Sequence, residues 1–90
     1  STNESLFSDT CYISDINYMA QEHITPGTRS IGKVRYSHRG ADCTLTPMEN
    51  GMIKCVFDEP QRAMTPGKAA VFYQDGHVLC GGTIEKMMVN

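Results

Sequence analysis

Ninety residues, 40% hydrophobic and 20% charged, describe one small globular domain able to enclose a single core and little else. Eight basic against ten acidic side chains give a net charge of −2, so any attraction to a polyanion must come from a local patch. No apolar run approaches the roughly 18 residues of a membrane-spanning helix and no secretory leader pattern is present, so a soluble, non-secreted chain is expected.

Residues 1–5 are polar and without periodicity, which predicts a disordered N-terminal remnant ahead of a folded domain over 6–90. Leu6-Phe7 and Thr10 to Ile16 carry strand-forming residues. Ser14 to Ile24 admits a second reading, because Ile16, Met19, Ala20, His23 and Ile24 fall at helical spacing behind Ser14 as an N-cap. Thr25-Pro26-Gly27 ends either element.

Ile31 to His38 reads as a strand whose alternation puts Lys33, Arg35 and Ser37 on one face and Gly32, Val34 and Tyr36 on the other. Arg29, Lys33, Arg35, His38 and Arg39 fall within eleven positions that contain no acidic residue. That is the pattern of a phosphate-tracking patch, and equally of a solvated strand face. Asp42 to Met48 and Met52 to Asp58 are two further strands around Asn50-Gly51, read as a two-residue hairpin turn. That turn would place Thr44, Thr46 and Met48 on the core face with Ile53, Cys55 and Phe57.

Thr65-Pro66-Gly67-Lys68 suits a type II turn, with proline pre-setting the first central residue and glycine accepting the positive φ of the second. Ala69 to Tyr73 is a strand, Asp75-Gly76 a two-residue hairpin turn, and His77 to Ile84 the return strand. Gly81-Gly82 inside it requires a bulge, a bend or a close backbone approach. The sum is an all-β fold: a small six-stranded antiparallel β-barrel with at most one short helical turn, closed because so short a chain cannot otherwise protect its edges.

The inventory of reactive groups does not assemble into an enzyme. Gly81-Gly82 is not a phosphate loop leading into a helix, no serine sits in a nucleophile elbow, and the adjacent Asp58-Glu59 are not spaced for joint acid–base work. Cys11, Cys43, Cys55 and Cys80 form no C-x-x-C pair and lie at no finger-like spacing to His23, His38 or His77, so core packing is expected of them and no metal is assigned. A Cys80–His77 pair differs by an odd number in one strand and faces opposite ways. Binding is better supported: Lys33, Arg35, Arg39, Arg62 and Lys68 could track phosphates, and Tyr36 and Tyr73 could stack on bases or pack in the core.

Several stretches, in order, resemble one family. Ser14-Asp15-Ile16-Asn17-Tyr18, Lys33-Val34-Arg35-Tyr36, Phe57-Asp58-Glu59-Pro60-Gln61-Arg62-Ala63, Thr65-Pro66-Gly67-Lys68-Ala69-Ala70-Val71-Phe72-Tyr73 and Val78-Leu79-Cys80-Gly81-Gly82-Thr83-Ile84 look like the carboxy-terminal barrel of tRNA-specific 2-thiouridylases, a barrel similar to the second domain of translation factors. The resemblance implies an ATP-dependent tRNA-uridine 2-sulfurtransferase that thiolates the wobble uridine with persulfide sulfur. It places ATP, with Mg, and the catalytic residues in an amino-terminal catalytic domain outside these 90 residues, and implies a sulfur-relay donor protein as a further partner. It implies tRNA contacts at Arg35, Tyr36 and Lys68, with Lys33, Arg39 and Arg62 as weaker candidates. Lys68 stands where the family commonly has glutamine, Ser37-His38-Arg39 where it has Arg-Gln, and Cys80 where a glycine often precedes the pair. The alternative is a protein-docking barrel that packs on the catalytic domain or the sulfur donor without touching RNA.

Overall fold

The computed structural model describes residues 7–19, 24–34, 40–62 and 65–88, apart from the side chains of Phe7, Arg62 and Met88. Six strands form: β1 (Phe7–Tyr18), β2 (Thr28–Val34), β3 (Ala41–Pro47), β4 (Ile53–Arg62), β5 (Ala69–Gln74) and β6 (His77–Met88). They close into a barrel in the order β1-β4-β3-β2-β5-β6, with every neighbouring pair antiparallel. Closure leaves no unpaired edge, as expected for so short an all-β chain.

Among the described residues there is no helix. Residues 14–18 belong to β1, and 20–23 lie outside the described part. Of the residues read at helical spacing, Ile16 lies in β1, Met19 just beyond it and Ile24 in the β1–β2 connection, and β1 itself is irregular here. Ser14 pairs with Thr83 but Asn17 with Gly81, so β1 carries one extra residue, and Asp15 takes a positive φ of 53°. This bulge shifts the alternation by one. Cys11 and Ile13 point inward before it, Ile16 and Tyr18 pack against the core after it, and a strand thereby acquires a three-residue apolar interval.

Turn chemistry sets the remaining registers. At Asp75-Gly76 both residues have positive φ, 53° and 80°, and Gln74 pairs with His77, the expected two-residue turn. At Asn50-Gly51 only Gly51 is positive, at 85°; the Gly51 amide donates to Met48 O at 3.1 Å and the Met48 amide to Met52 O at 2.8 Å. The loop therefore holds three residues, not two, and the register moves by one. Cys43, Leu45 and Pro47 stand opposite Phe57, Cys55 and Ile53, while Thr44 and Thr46 face outward with Val56 and Lys54. The expected core face of Thr44, Thr46 and Met48 is corrected accordingly, since a one-residue slip exchanges the two faces of a strand.

The core combines Cys11, Ile13, Val34, Cys43, Leu45, Ile53, Cys55, Phe57, Ala70, Phe72, Leu79, Cys80 and Ile84 with Ile24 from the β1–β2 connection. All four cysteines are buried and free, as strand-borne small hydrophobes should be. Gly32 makes room for the aromatic centre: a Cβ there would lie 3.0 Å from Phe72 Cε1 and 3.1 Å from Phe57 Cε1. Over 57–60, β4 bows away from β1, whose pairing steps from Ser8–Gln61 to Thr10–Val56. Pro60, with no amide hydrogen to offer, sits in that unpaired stretch.

Two corners of like sequence start β2 and β5. Gly27 (φ 83°) donates its amide to Leu45 O of β3 at 3.0 Å, and Gly67 (φ 92°) donates to Ile84 O of β6 at 2.8 Å. The first corner starts β2 at Thr28, three residues earlier than the sequence pattern gave. Because β2 and β5 pair antiparallel, Val34 opposite Ala70, the second corner lies beside the end of β2 that leads to Arg35.

Candidate nucleic-acid interface

Lys68 is the residue whose placement the turn explains most fully. Thr65-Pro66-Gly67-Lys68 forms the type II turn expected of its sequence, though its own closing bond, Lys68 N–H to Thr65 O, is long at 3.4 Å. The stronger constraints come from β6: Gly67 donates to Ile84 O, and Ile84 N–H donates back to Lys68 O at 2.8 Å. The backbone under the ammonium is thus fixed to the barrel while the side chain is exposed. Among the described residues no carboxylate lies within ion-pair distance of it. An anchored, uncompensated point charge is what a phosphate contact requires.

Lys33 projects outward from β2, as the alternation predicts, with Gly32 and Val34 buried on either side. Its Nζ sits over the Tyr73 ring, 5.0 Å from the centroid. Tyr73 pairs with Ile31 and faces outward, half-buried, so it is not one of the core residues. The signal was present, because Phe72 and Ala70 claim the inward parity of β5.

Arg29, counted in the basic run, is already committed. Its guanidinium makes a bidentate pair with Asp58 at 2.7 and 2.6 Å and donates to Thr44 Oγ1 at 2.8 Å. These hydrogen bonds hold the Asp58 carboxyl below the usual carboxylate range. Nothing in the local sequence of β2 reveals this partner, which arrives from two strands away. Beside it Asp42, Asp58 and Glu59 share an open groove of about 250 Å³ with Ile31, Gly40, Ala41 and Gln61, a surface that repels a polyanion. Lys68 is not among the residues lining that groove.

Arg35, Tyr36 and Arg39 lie outside the described residues; the chain is described up to Val34, immediately before them. Arg62 ends β4 with its backbone opposite Phe7, and its side chain lies outside the described part. The structure thus brings the Lys68 corner beside the end of β2 and places Lys33 further along the same ladder.

Cys55, hydrogen-bonded with Cys11 and Cys43 and buried, is pushed well up, and burial raises Cys80 to about 11, so both are held as thiols. No group of three His, Cys, Asp or Glu among the described residues could hold a metal ion. Gly81 and Gly82 face neighbouring strands and open into no loop before a helix. A Cβ on Gly82 would meet Ser14 O at 2.5 Å, so the pair does not fit a nucleotide phosphate, and no step through ATP is assigned to this chain. Among the described residues no helix is long and apolar enough to cross a membrane.

Comparison with known proteins adds three observations. Residues 8–84 match the aminomethyltransferase β-barrel domain. The chain is 44% identical over 85 residues to the tRNA-specific 2-thiouridylase MnmA of Lachnoclostridium phytofermentans, covering 94% of this chain and 24% of that protein. It is 39% identical over 85 residues to the MnmA of Clostridium perfringens (94% and 24% covered), and 42% identical over 82 residues to that of Chlorobium chlorochromatii (91% and 23% covered). The chain spans about a quarter of the length of these curated relatives.

Proposed function

The chain belongs to the aminomethyltransferase β-barrel domain family, in the form that tRNA-specific 2-thiouridylases carry, and from that premise we propose that it is the tRNA-binding barrel of a tRNA-uridine 2-sulfurtransferase. Its part is to hold the tRNA. ATP-dependent activation of the wobble uridine, with Mg, and delivery of persulfide sulfur from a donor protein fall to a separate catalytic domain of the same protein, working in the cytoplasm.

The observation that carries this reading is the Lys68 corner: an exposed cation with its backbone bonded to β6 on both sides of the peptide, next to the end of β2 that runs into Arg35 and Tyr36. A contact residue must be positioned before the RNA arrives, or the cost of ordering it is subtracted from affinity. Lys68 would meet a phosphate as a point charge, with Arg35 and Tyr36 supplying a second cation and a stacking face.

The test is the salt dependence of tRNA binding by the intact protein. Each phosphate neutralised contributes about 0.7–0.9 to the slope of log K against log salt, so Lys68→Ala is expected to weaken binding of unmodified tRNA and lower that slope by about one contact. Lys33→Ala, at the outward cation further along the β2–β5 ladder, is expected to lower it by no more than one further contact. An unchanged affinity and slope in Lys68→Ala would favour a barrel that docks on its own catalytic domain or on the sulfur donor.

A further inference from the structure

The outer surface opposite the β2–β5 ladder carries a pattern that no single stretch of sequence contains. Tyr12 of β1 pairs with Lys54 of β4 on one side and with Lys86 of β6 on the other. The three side chains form a row across three strands. Cys11 and Ile13 are buried, so Tyr12 must face outward, and both lysines are exposed. Lys86 Nζ lies 5.1 Å from the Tyr12 ring centroid. Directly opposed residues in neighbouring strands stand about 5 Å apart at the backbone, so the row sets a lysine on either side of the ring, with the Lys86 ammonium over one of its faces.

The row and the corner described above meet the same strand, β6. Ile84, whose amide and carbonyl hold Lys68 and Gly67, stands two residues before Lys86 in β6. Lys68, Lys86, Tyr12 and Lys54 thus succeed one another around the barrel. Among the described residues no carboxylate is within ion-pair distance of Lys54, Lys68 or Lys86. The neighbouring acid, Glu85, accepts a hydrogen bond from the Ser14 hydroxyl at 2.9 Å.

We infer that the Lys86–Tyr12–Lys54 row is a second RNA contact, extending the track that begins at Lys68. The reading rests on the corner itself being an RNA contact. The class of ligand follows from the chemistry: two flanking ammonium groups suit successive backbone phosphates, and an aromatic ring between them suits an unpaired base, which stacks without sequence preference. The row therefore takes a single-stranded or looped segment of a bound tRNA and leaves its sequence unread.

The experiment compares Lys54→Gln/Lys86→Gln, Tyr12→Leu and Lys68→Ala in the intact protein, with unmodified tRNA as the probe and thermal unfolding as the check on folding. The double variant is expected to lower the salt slope by about two contacts, and Tyr12→Leu, which keeps an apolar side chain at that position, to weaken binding about 5- to 100-fold with the slope retained. If Lys68→Ala weakens binding while the row variants leave affinity and slope unchanged, the row is overturned and the corner stands. If the row variants weaken binding and Lys68→Ala does not, the row stands and the track does not begin at Lys68. Unchanged binding in all variants overturns both and marks these faces as covered by another part of the protein.

Discussion

Replacing Phe72 by alanine is expected to remove most of the stability of this barrel. Phe72 is fully buried, and its ring and that of Phe57 both lie over Gly32, where the absence of a side chain leaves space for them. Truncating a buried phenylalanine costs about 3–5 kcal/mol, through lost burial and the cavity left behind. A domain of 90 residues has a total stability on the order of 5–13 kcal/mol. The closed sheet restricts collapse into the gap, because each strand is held on both sides and cannot move inward alone. A urea denaturation of parent and variant measures the difference; a loss below about 1 kcal/mol would show that Phe72 is not the centre of the core.

Gly82→Ala is expected to have the next largest effect, by a different mechanism. Here nothing is removed. The added Cβ would stand 2.5 Å from Ser14 O, 2.6 Å from Ile13 Cγ2 and 3.0 Å from Ile16 Cδ1. The nearest obstacle is backbone, and it belongs to the bulge in which Asp15 already holds a positive φ. Such overpacking typically costs about 1–3 kcal/mol, and here it falls on the β1–β6 seam that closes the barrel. Gly81→Ala, with its nearest contact at 3.2 Å from Ala70 O, is the milder control. The check is thermal unfolding of the two variants side by side, and equal midpoints would refute the close approach at Gly82.

How much of this was legible in the sequence depends on whether the determining interaction is local. Asp75-Gly76 and Thr65-Pro66-Gly67-Lys68 were read correctly, because positive φ is demanded by residues within the turn itself. Asn50-Gly51 was not: the same dipeptide serves two- and three-residue loops, and the choice between them reverses which face of β3 is buried. The helical reading of 14–24 gives way over 14–18, where pairing with β6 carries β1 through the bulge at Asp15, a contact that the local sequence does not contain. The candidate site divides in the same way. Lys68 and the outward face of Lys33 follow from turn type and alternation. The neutralisation of Arg29 by Asp58 and the alignment of Lys54, Tyr12 and Lys86 follow from strand order, which residues so far apart in the chain do not announce.

All four lysines of the chain, Lys33, Lys54, Lys68 and Lys86, are described and exposed, so one footprint can address the interface directly. Amine-reactive labelling of the intact protein, read residue by residue with mass spectrometry in the presence and absence of unmodified tRNA, reports which ammonium groups the RNA covers. The expected result is strong protection of Lys68, joined by Lys86 and Lys54. Equal labelling of Lys68 with and without bound tRNA would contradict a barrel that holds its RNA at the Thr-Pro-Gly corner.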